Sequence, residues 1–190
     1  MRLGLIIGST RPTRLGDKPA GWLAGVAEAT EGIELDVIDL RAIALPLFAE
    51  PQHPRTGNYT RAETVAWSQR VGACDAFVIV TPEYNHAAPP AVVNAVTFLL
   101  REWQYKPVAF VSYGGVSGGL RAVQQLKLQF LAVEAVPIAD AVVIPLVFNQ
   151  IEEGEFKPNQ MQAEAASVML EKLRVWVAAL APMRRHTMLS

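Results

Sequence analysis

The chain has 190 residues, and 17 Lys and Arg against 18 Asp and Glu leave a formal charge of −1. Hydrophobic residues supply 51% and charged residues only 18%, which excludes a disordered chain and gives one domain a sizeable core. The balanced charge argues against nucleic acid or an acidic membrane surface as the main partner, because both need clustered Lys and Arg and no basic run occurs before Arg184-Arg185.

The low charged fraction points to a face buried in a partner and hence to an oligomer. Cys74 is the single cysteine, so neither an intrachain disulfide nor a thiolate-built metal site can form. The opening apolar run is too short for a secretory h-region, and no run approaches the roughly 18 apolar residues of a membrane span. The expected location is the cytoplasm.

In chain order, residues 3–7 read as the first strand, followed by the polar turn Gly8-Ser9-Thr10-Arg11-Pro12-Thr13-Arg14-Leu15-Gly16. Residues 17–29 read as a helix with Pro19 tolerated in its first turn. Residues 35–40 alternate acids with apolar residues, as an exposed edge strand would. Residues 46–59 carry Pro46, Pro51, Pro54 and Gly57; a connection of this length is either a plain surface loop or a flank for a ligand or a second subunit.

Thr60 and Glu63 match the T-x-x-E capping box, which starts a helix expected to reach residue 73. The third strand is 76–80, and the next helix runs from Pro90 to Trp103. Strand four is 108–112, a helix covers 119–131, and strand five is 141–144. Met161, Ala165, Val168, Leu173, Trp176 and Leu180 then recur at helical spacing. Strands alternating with helices imply a parallel sheet covered on both faces. Residues 1–182 form the single domain and 183–190 a tail.

Ligands of open parallel sheets collect outside the carboxyl ends of strands, so the loops after strands one, three and four carry the interest. The first offers backbone N–H groups, hydroxyls and two guanidiniums before a helix N-terminus. That set suits a monophosphate, since both the dinucleotide and the nucleoside-triphosphatase glycine spacings are missing. The alternative is a polar turn with solvated arginines. Proline stiffens the second loop, Thr81-Pro82-Glu83-Tyr84-Asn85-His86-Ala87-Ala88-Pro89-Pro90, and Tyr84 can stack on or edge a ring. Glu83 is equally an N-cap or a salt-bridge partner, and His86 reads as a hydrogen-bonding loop residue, not a proton-transfer group. In Ser112-Tyr113-Gly114-Gly115-Val116-Ser117-Gly118-Gly119, paired glycines either admit a flat ring or serve helix-on-strand packing.

Together these blocks resemble the NADPH-dependent FMN reductase family, a flavodoxin-like group with quinone, azo-dye and chromate reductases. Gly8-Ser9-Thr10-Arg11 is similar to its phosphate loop, Pro82-Glu83-Tyr84-Asn85 to its P-E-Y-N signature, and Tyr113 to Gly119 to its second flavin loop. The resemblance implies an α/β three-layer sandwich with a five-stranded parallel sheet in the order 2-1-3-4-5. It implies FMN and NADPH as cofactors, with hydride passing from NADPH to FMN and on to a flavin, quinone, azo or metal-oxyanion acceptor.

By the same resemblance Ser9, Thr10, Arg11 and Gly16 belong to the phosphate site. Arg14, where many relatives have serine, either extends that grip or faces a second ligand such as the NADPH phosphate. Pro82, Glu83, Tyr84 and Asn85 line the flavin edge, and Tyr113, Gly114, Gly115 and Ser117 its pyrimidine side. No catalytic side chain is needed and no metal is expected. The family's lysine and aspartate after the P-E-Y-N loop are here Val93 and Thr97, so a subunit contact there is more apolar. A homodimer or homotetramer is expected, with residues 46–59 and Trp103-Gln104-Tyr105 as candidates for walling the flavin. The rival reading is a flavodoxin-type electron carrier or a redox sensor without nicotinamide turnover. A carrier's usual acidic surface is missing at a charge of −1.

Overall fold

A parallel strand buried on both faces needs apolar residues throughout, not at alternate positions. β3 (Ala76–Pro82) and β4 (Pro107–Tyr113) meet that demand, every residue of each being buried. In the computed structural model, which describes residues 1–187, they are central. β1 (Arg2–Ile7), β2 (Glu34–Asp39) and β5 (Val136–Ile144) complete a parallel sheet in the order β2-β1-β3-β4-β5. The acids of β2 sit where the sequence places them, on an outer strand.

Alternate residues of each strand feed two cores. Ile6, Phe77, Ile79 and Phe110 pack with α3 (Ala62–Ala73), α4 (Pro90–Thr97) and α5 (Leu120–Ala132), together with the short α2 (Leu40–Ile43). Leu5, Val78, Val80 and Val111 pack with α1 (Asp17–Glu28) and α6 (Gln160–Thr187). The result is the three-layer flavodoxin-like sandwich. A two-stranded hairpin of β6 (Ile151–Glu152) and β7 (Glu155–Phe156) sets Phe156 edge-on to Trp22 at 5.3 Å. Strands of two residues carry no periodicity, so none was legible in the sequence.

Several boundaries differ from the sequence reading. Leu40 opens α2 and does not end β2, because the Asp39 carboxylate accepts the Arg41 N–H and caps the helix. β5 starts five residues before its expected residue 141, where Pro137 and Asp140 obscure the strand pattern on an edge that tolerates both. α4 ends at Thr97, and the chain then turns Trp103 inward. Its indole is fully buried against Trp67, Phe77 and Phe130, so Trp103 is core and cannot wall a flavin from a second subunit. α6 continues through Pro182 to Thr187, into the segment read as a tail; residues 188–190 of that segment lie outside the described residues. Among the described residues no helix is long and apolar enough to cross a membrane.

The capping box does not form. Helix α3 begins one residue later than Thr60 requires, with Arg61 at the cap and no side-chain cap bond. The Thr60 hydroxyl donates instead to Glu50 at 2.8 Å, and the Thr60 and Arg61 N–H groups donate to the same carboxylate. Glu63 pairs with Arg61. A carboxylate from the long loop thus holds the two N–H groups that precede the helix, the part a glutamate three residues on plays for the cap N–H in a capping box. The loop is further tied by Asn94, which donates to Pro46 O and accepts from Phe48 N.

Burial alone would raise the Glu50 carboxyl, but the bonds from this segment outweigh it and hold it at about 2. A depressed carboxyl contributes stability above its unfolded value and loses it as pH falls through the folded one. Thermal melts of the native protein should therefore lose midpoint between pH 4.5 and about 2. Glu50→Gln should melt lower at neutral pH and show a flatter acid limb, as followed by circular dichroism.

Candidate functional site

Parallel pairing sets Ile7 opposite Asp39 on one side and Val80 on the other. Pro82 stands opposite Tyr113 across the next pair. The chain leaves β1 toward β2 in one direction and returns through β3 in the other, which opens a crevice at the strand ends. There the three loops converge on a cleft of about 240 Å³. Ser9, Arg11 and Arg14 line it from the first loop, Pro82, Glu83 and Tyr84 from the second, and Tyr113 and Gly114 from the third. A larger hollow, about 450 Å³ between α1 and the hairpin, lies away from these loops.

In the first loop Gly8 N–H donates to Val80 O, anchoring the turn to β3. Ser9 is buried, and its Oγ lies 2.6 Å from the Tyr84 hydroxyl. Arg11 is exposed and stands over the Tyr84 ring, 5.9 Å from its centroid. Arg14 instead places its two terminal nitrogens on the two Asp39 oxygens at 2.6 and 2.7 Å, with a further bond to Ser9 O at 3.0 Å. Each partner's hydrogen bonding shifts the other: Arg14 is raised and Asp39 lowered from their ordinary values. The Thr10 side chain faces a separate hollow beside Arg41 and Asn94. Gly16 lies against the Tyr113 hydroxyl, where a Cβ would collide.

The second loop is a two-residue hairpin. Tyr84 and Ala87 exchange both backbone hydrogen bonds at 2.9 Å, and Asn85 (φ 51°) and His86 (φ 64°) form its tip. Two successive positive φ values define the turn that suits the strand twist, and asparagine and histidine are among the side chains that tolerate them best. Asn85 is thereby placed as a turn residue. Glu83 behaves as an ion-pair partner: its side chain, 7% exposed, takes bonds from Arg121 Nη1 at 2.7 Å, Arg121 N at 3.0 Å and Ser117 Oγ at 3.1 Å. Burial pushes the Glu83 carboxyl up, but these donors prevail and keep it below its ordinary value. Ser117 therefore reaches across to the second loop.

In the third loop the paired glycines divide. Gly119 has φ 83° and its Cβ would stand 2.9 Å from Tyr113 O, so backbone geometry requires glycine there. Gly115 is exposed, and a Cβ would meet nothing within 4 Å. Glycine at 115 serves no internal packing and sits at the surface next to Gly114, which lines the cleft. Tyr113 is buried, and burial followed by the neighbouring Tyr84 raises its phenol, which stays protonated.

Thr13, Leu15 and Val147 also line the cleft and were not anticipated. Val147 donates its N–H to Gly114 O and Leu146 its own to Gly115 O, so the segment after β5 backs the third loop. Strand order alone could have suggested it, since β5 is the neighbour of β4. The assembled donors fit a phosphomonoester with an attached planar ring: an exposed guanidinium, a buried hydroxyl, a rigid turn and an open glycine. Among the described residues no group of three His, Cys, Asp or Glu could hold a metal ion.

The family profile described as NADPH-dependent FMN reductase matches residues 1–149. An NAD(P)H-dependent FMN reductase of Schizosaccharomyces pombe is 35% identical over 158 residues, 81% of this chain and 78% of that one. An NAD(P)H-dependent FMN reductase of Saccharomyces cerevisiae is 36% identical over 138 residues, 67% and 72% of the two chains. In three dimensions the flavoenzyme NAD(P)H:(acceptor) oxidoreductase of Paracoccus denitrificans superposes with a TM-score of 0.73 at 23% identity, over 94% of this chain and 97% of that one. That last likeness establishes the fold.

The turn at Asn85-His86 yields a direct test. His86→Gly should stabilise the protein by about 1 kcal/mol by removing the left-handed penalty, and His86→Val should destabilise it by about 1–2 kcal/mol. Denaturant unfolding of the two variants measures both.

Proposed function

This chain belongs to the NADPH-dependent FMN reductase family, and on that premise we propose that the cleft between its β1, β3 and β4 loops holds FMN within reach of NADPH. The activity is an NAD(P)H-dependent oxidoreduction that passes electrons to a small-molecule acceptor, a flavin, quinone, azo compound or metal oxyanion. FMN supplies the hydride chemistry when bound, so no side chain has to act as nucleophile or general acid.

The protein's part is to bind and orient. Ser9 and Arg11 hold the phosphate together with the loop backbone, to which Thr10 contributes its N–H. Tyr84 fits this role: a hydroxyl has one proton and two acceptor positions, so Ser9 can accept from Tyr84 and still donate to a phosphate oxygen. Pro82, Glu83, Tyr84 and Asn85 line the ring edge mainly through backbone atoms. Tyr113, Gly114 and Gly115 border its pyrimidine side, with Ser117 and Glu83 bracing the two loops together. The observation that carries this reading is the convergence of the three loops on one cleft, lined by Ser9, Arg11, Tyr84, Tyr113 and Gly114.

A homodimer or homotetramer is supported by α5, which exposes Leu128 (71%) and Leu131 (58%). A cytoplasmic location agrees with the lone, buried Cys74, whose thiol burial pushes up to about 11.

Gly115→Val should weaken FMN binding by about tenfold or more, equivalent to about 1.4 kcal/mol, with the melting temperature of the FMN-free protein unchanged. Gly119→Ala should instead lower that melting temperature. Adding NADPH to the FMN-loaded protein under argon should bleach its yellow absorbance; persistent colour would count against the activity. Sedimentation showing only a 20.7 kDa species would remove the oligomer.

A further inference from the structure

We infer that Arg14 positions the phosphate loop and does not grip the phosphate, and that Asp39 assigns it this role; the inference rests on the FMN reading above. Its guanidinium makes a parallel two-bond fork with Asp39 and adds a third bond to the Ser9 carbonyl. Forked, charge-assisted bonds of this kind are strong and directional. Turning toward a phosphate would break the fork and leave Asp39 as an unpaired carboxylate beside an anion.

Asp39 is itself held in place by the sheet. It ends β2 opposite Ile7, the last residue of β1, and also caps α2 through the Arg41 N–H at 2.9 Å. The brace therefore runs from a fixed strand end, through Arg14, to the first turn of the loop. In a trans peptide the N–H points opposite to the carbonyl, so pinning Ser9 O fixes the direction of the Thr10 N–H as well.

Charge completes the argument. Arg14 and Asp39 cancel, and the remaining arginine of the loop, Arg11, makes no ion pair among the described residues. Arg41, likewise without an ion pair among the described residues, donates to Pro12 O at 3.5 Å and lines the separate hollow beside Thr10, so within the cleft a dianionic ligand meets Arg11 as the uncancelled guanidinium. Asp17 and Tyr113 also lie near Arg14, and neither supplies a second cation.

The test is FMN and riboflavin titration, read by quenching of flavin fluorescence at low and high salt, with Asp39→Asn, Arg14→Gln, Arg14→Lys and the Arg14→Gln/Asp39→Asn double variant. A brace predicts that Asp39→Asn steepens the salt dependence and widens the preference for FMN over riboflavin, because Arg14 then faces the ligand uncancelled. Arg14→Gln should weaken FMN about tenfold or more, and Arg14→Lys, which keeps the charge but loses the fork, should also weaken it. The double variant should return to within about threefold of wild type, since charge balance is restored and the glutamine amide can still donate to Ser9 O.

A direct grip predicts the reverse: a double variant as weak as Arg14→Gln, both with reduced salt dependence, and Arg14→Lys near wild type. Those results would overturn the assignment while leaving FMN binding intact. Absence of quenching by the wild-type protein would overturn the FMN reading and this inference together.

Discussion

The parallel pairing of β1 with both β2 and β3 is the constraint on which the site depends. It sets Ile7 between Asp39 and Val80, so the loop that leaves β1 emerges beside a carboxylate on one side and the second loop on the other. The pairing of β1 with β3 is possible because both faces of these two strands are apolar and covered by helices. Loops at the carboxyl ends then meet one another, the ends of β2 and β5 and the start of α5, which satisfy many of their polar groups.

Three polar links do that work, and each joins segments far apart in sequence. Ser9 meets Tyr84, Arg14 meets Asp39, and Glu83 meets Ser117 and Arg121. Two of them also cancel charge, which leaves Arg11 as the cation lining the cleft without an ion-pair partner among the described residues. These bonds fasten the cleft's loops to one another without a ligand, and a preorganised host loses less conformational entropy on binding. This suits an enzyme whose cofactor brings the reactivity and whose fold brings orientation.

The long loop between α2 and α3 follows the same logic. Glu50 reaches the start of α3, Asn94 holds Pro46 and Phe48, and Tyr59 donates to Glu102. The proline-rich segment is a fastened part of the domain. Burial of Trp103 beneath this layer explains why α4 is short: enclosing a large indole among three aromatic rings outweighs one more helical turn on the surface.

The amino-acid sequence by itself determined the five sheet strands and the five long helices, the order of the loops and the glycine, proline and hydroxyl chemistry each loop brings. These follow from local periodicity and backbone preference, which a linear chain displays. Hence Ser9, Arg11, Pro82, Tyr84, Tyr113 and Gly114 were legible as residues that would share one cleft. Only the tertiary structure decided that Arg14 belongs to Asp39, that Glu50 displaces the local cap at Thr60, that Val147 backs Gly114, and that Gly115 is open where Gly119 is confined. An ion pair or a steric gap depends on distance through space, and that distance is set by sheet order and register, to which spacing along the chain is blind.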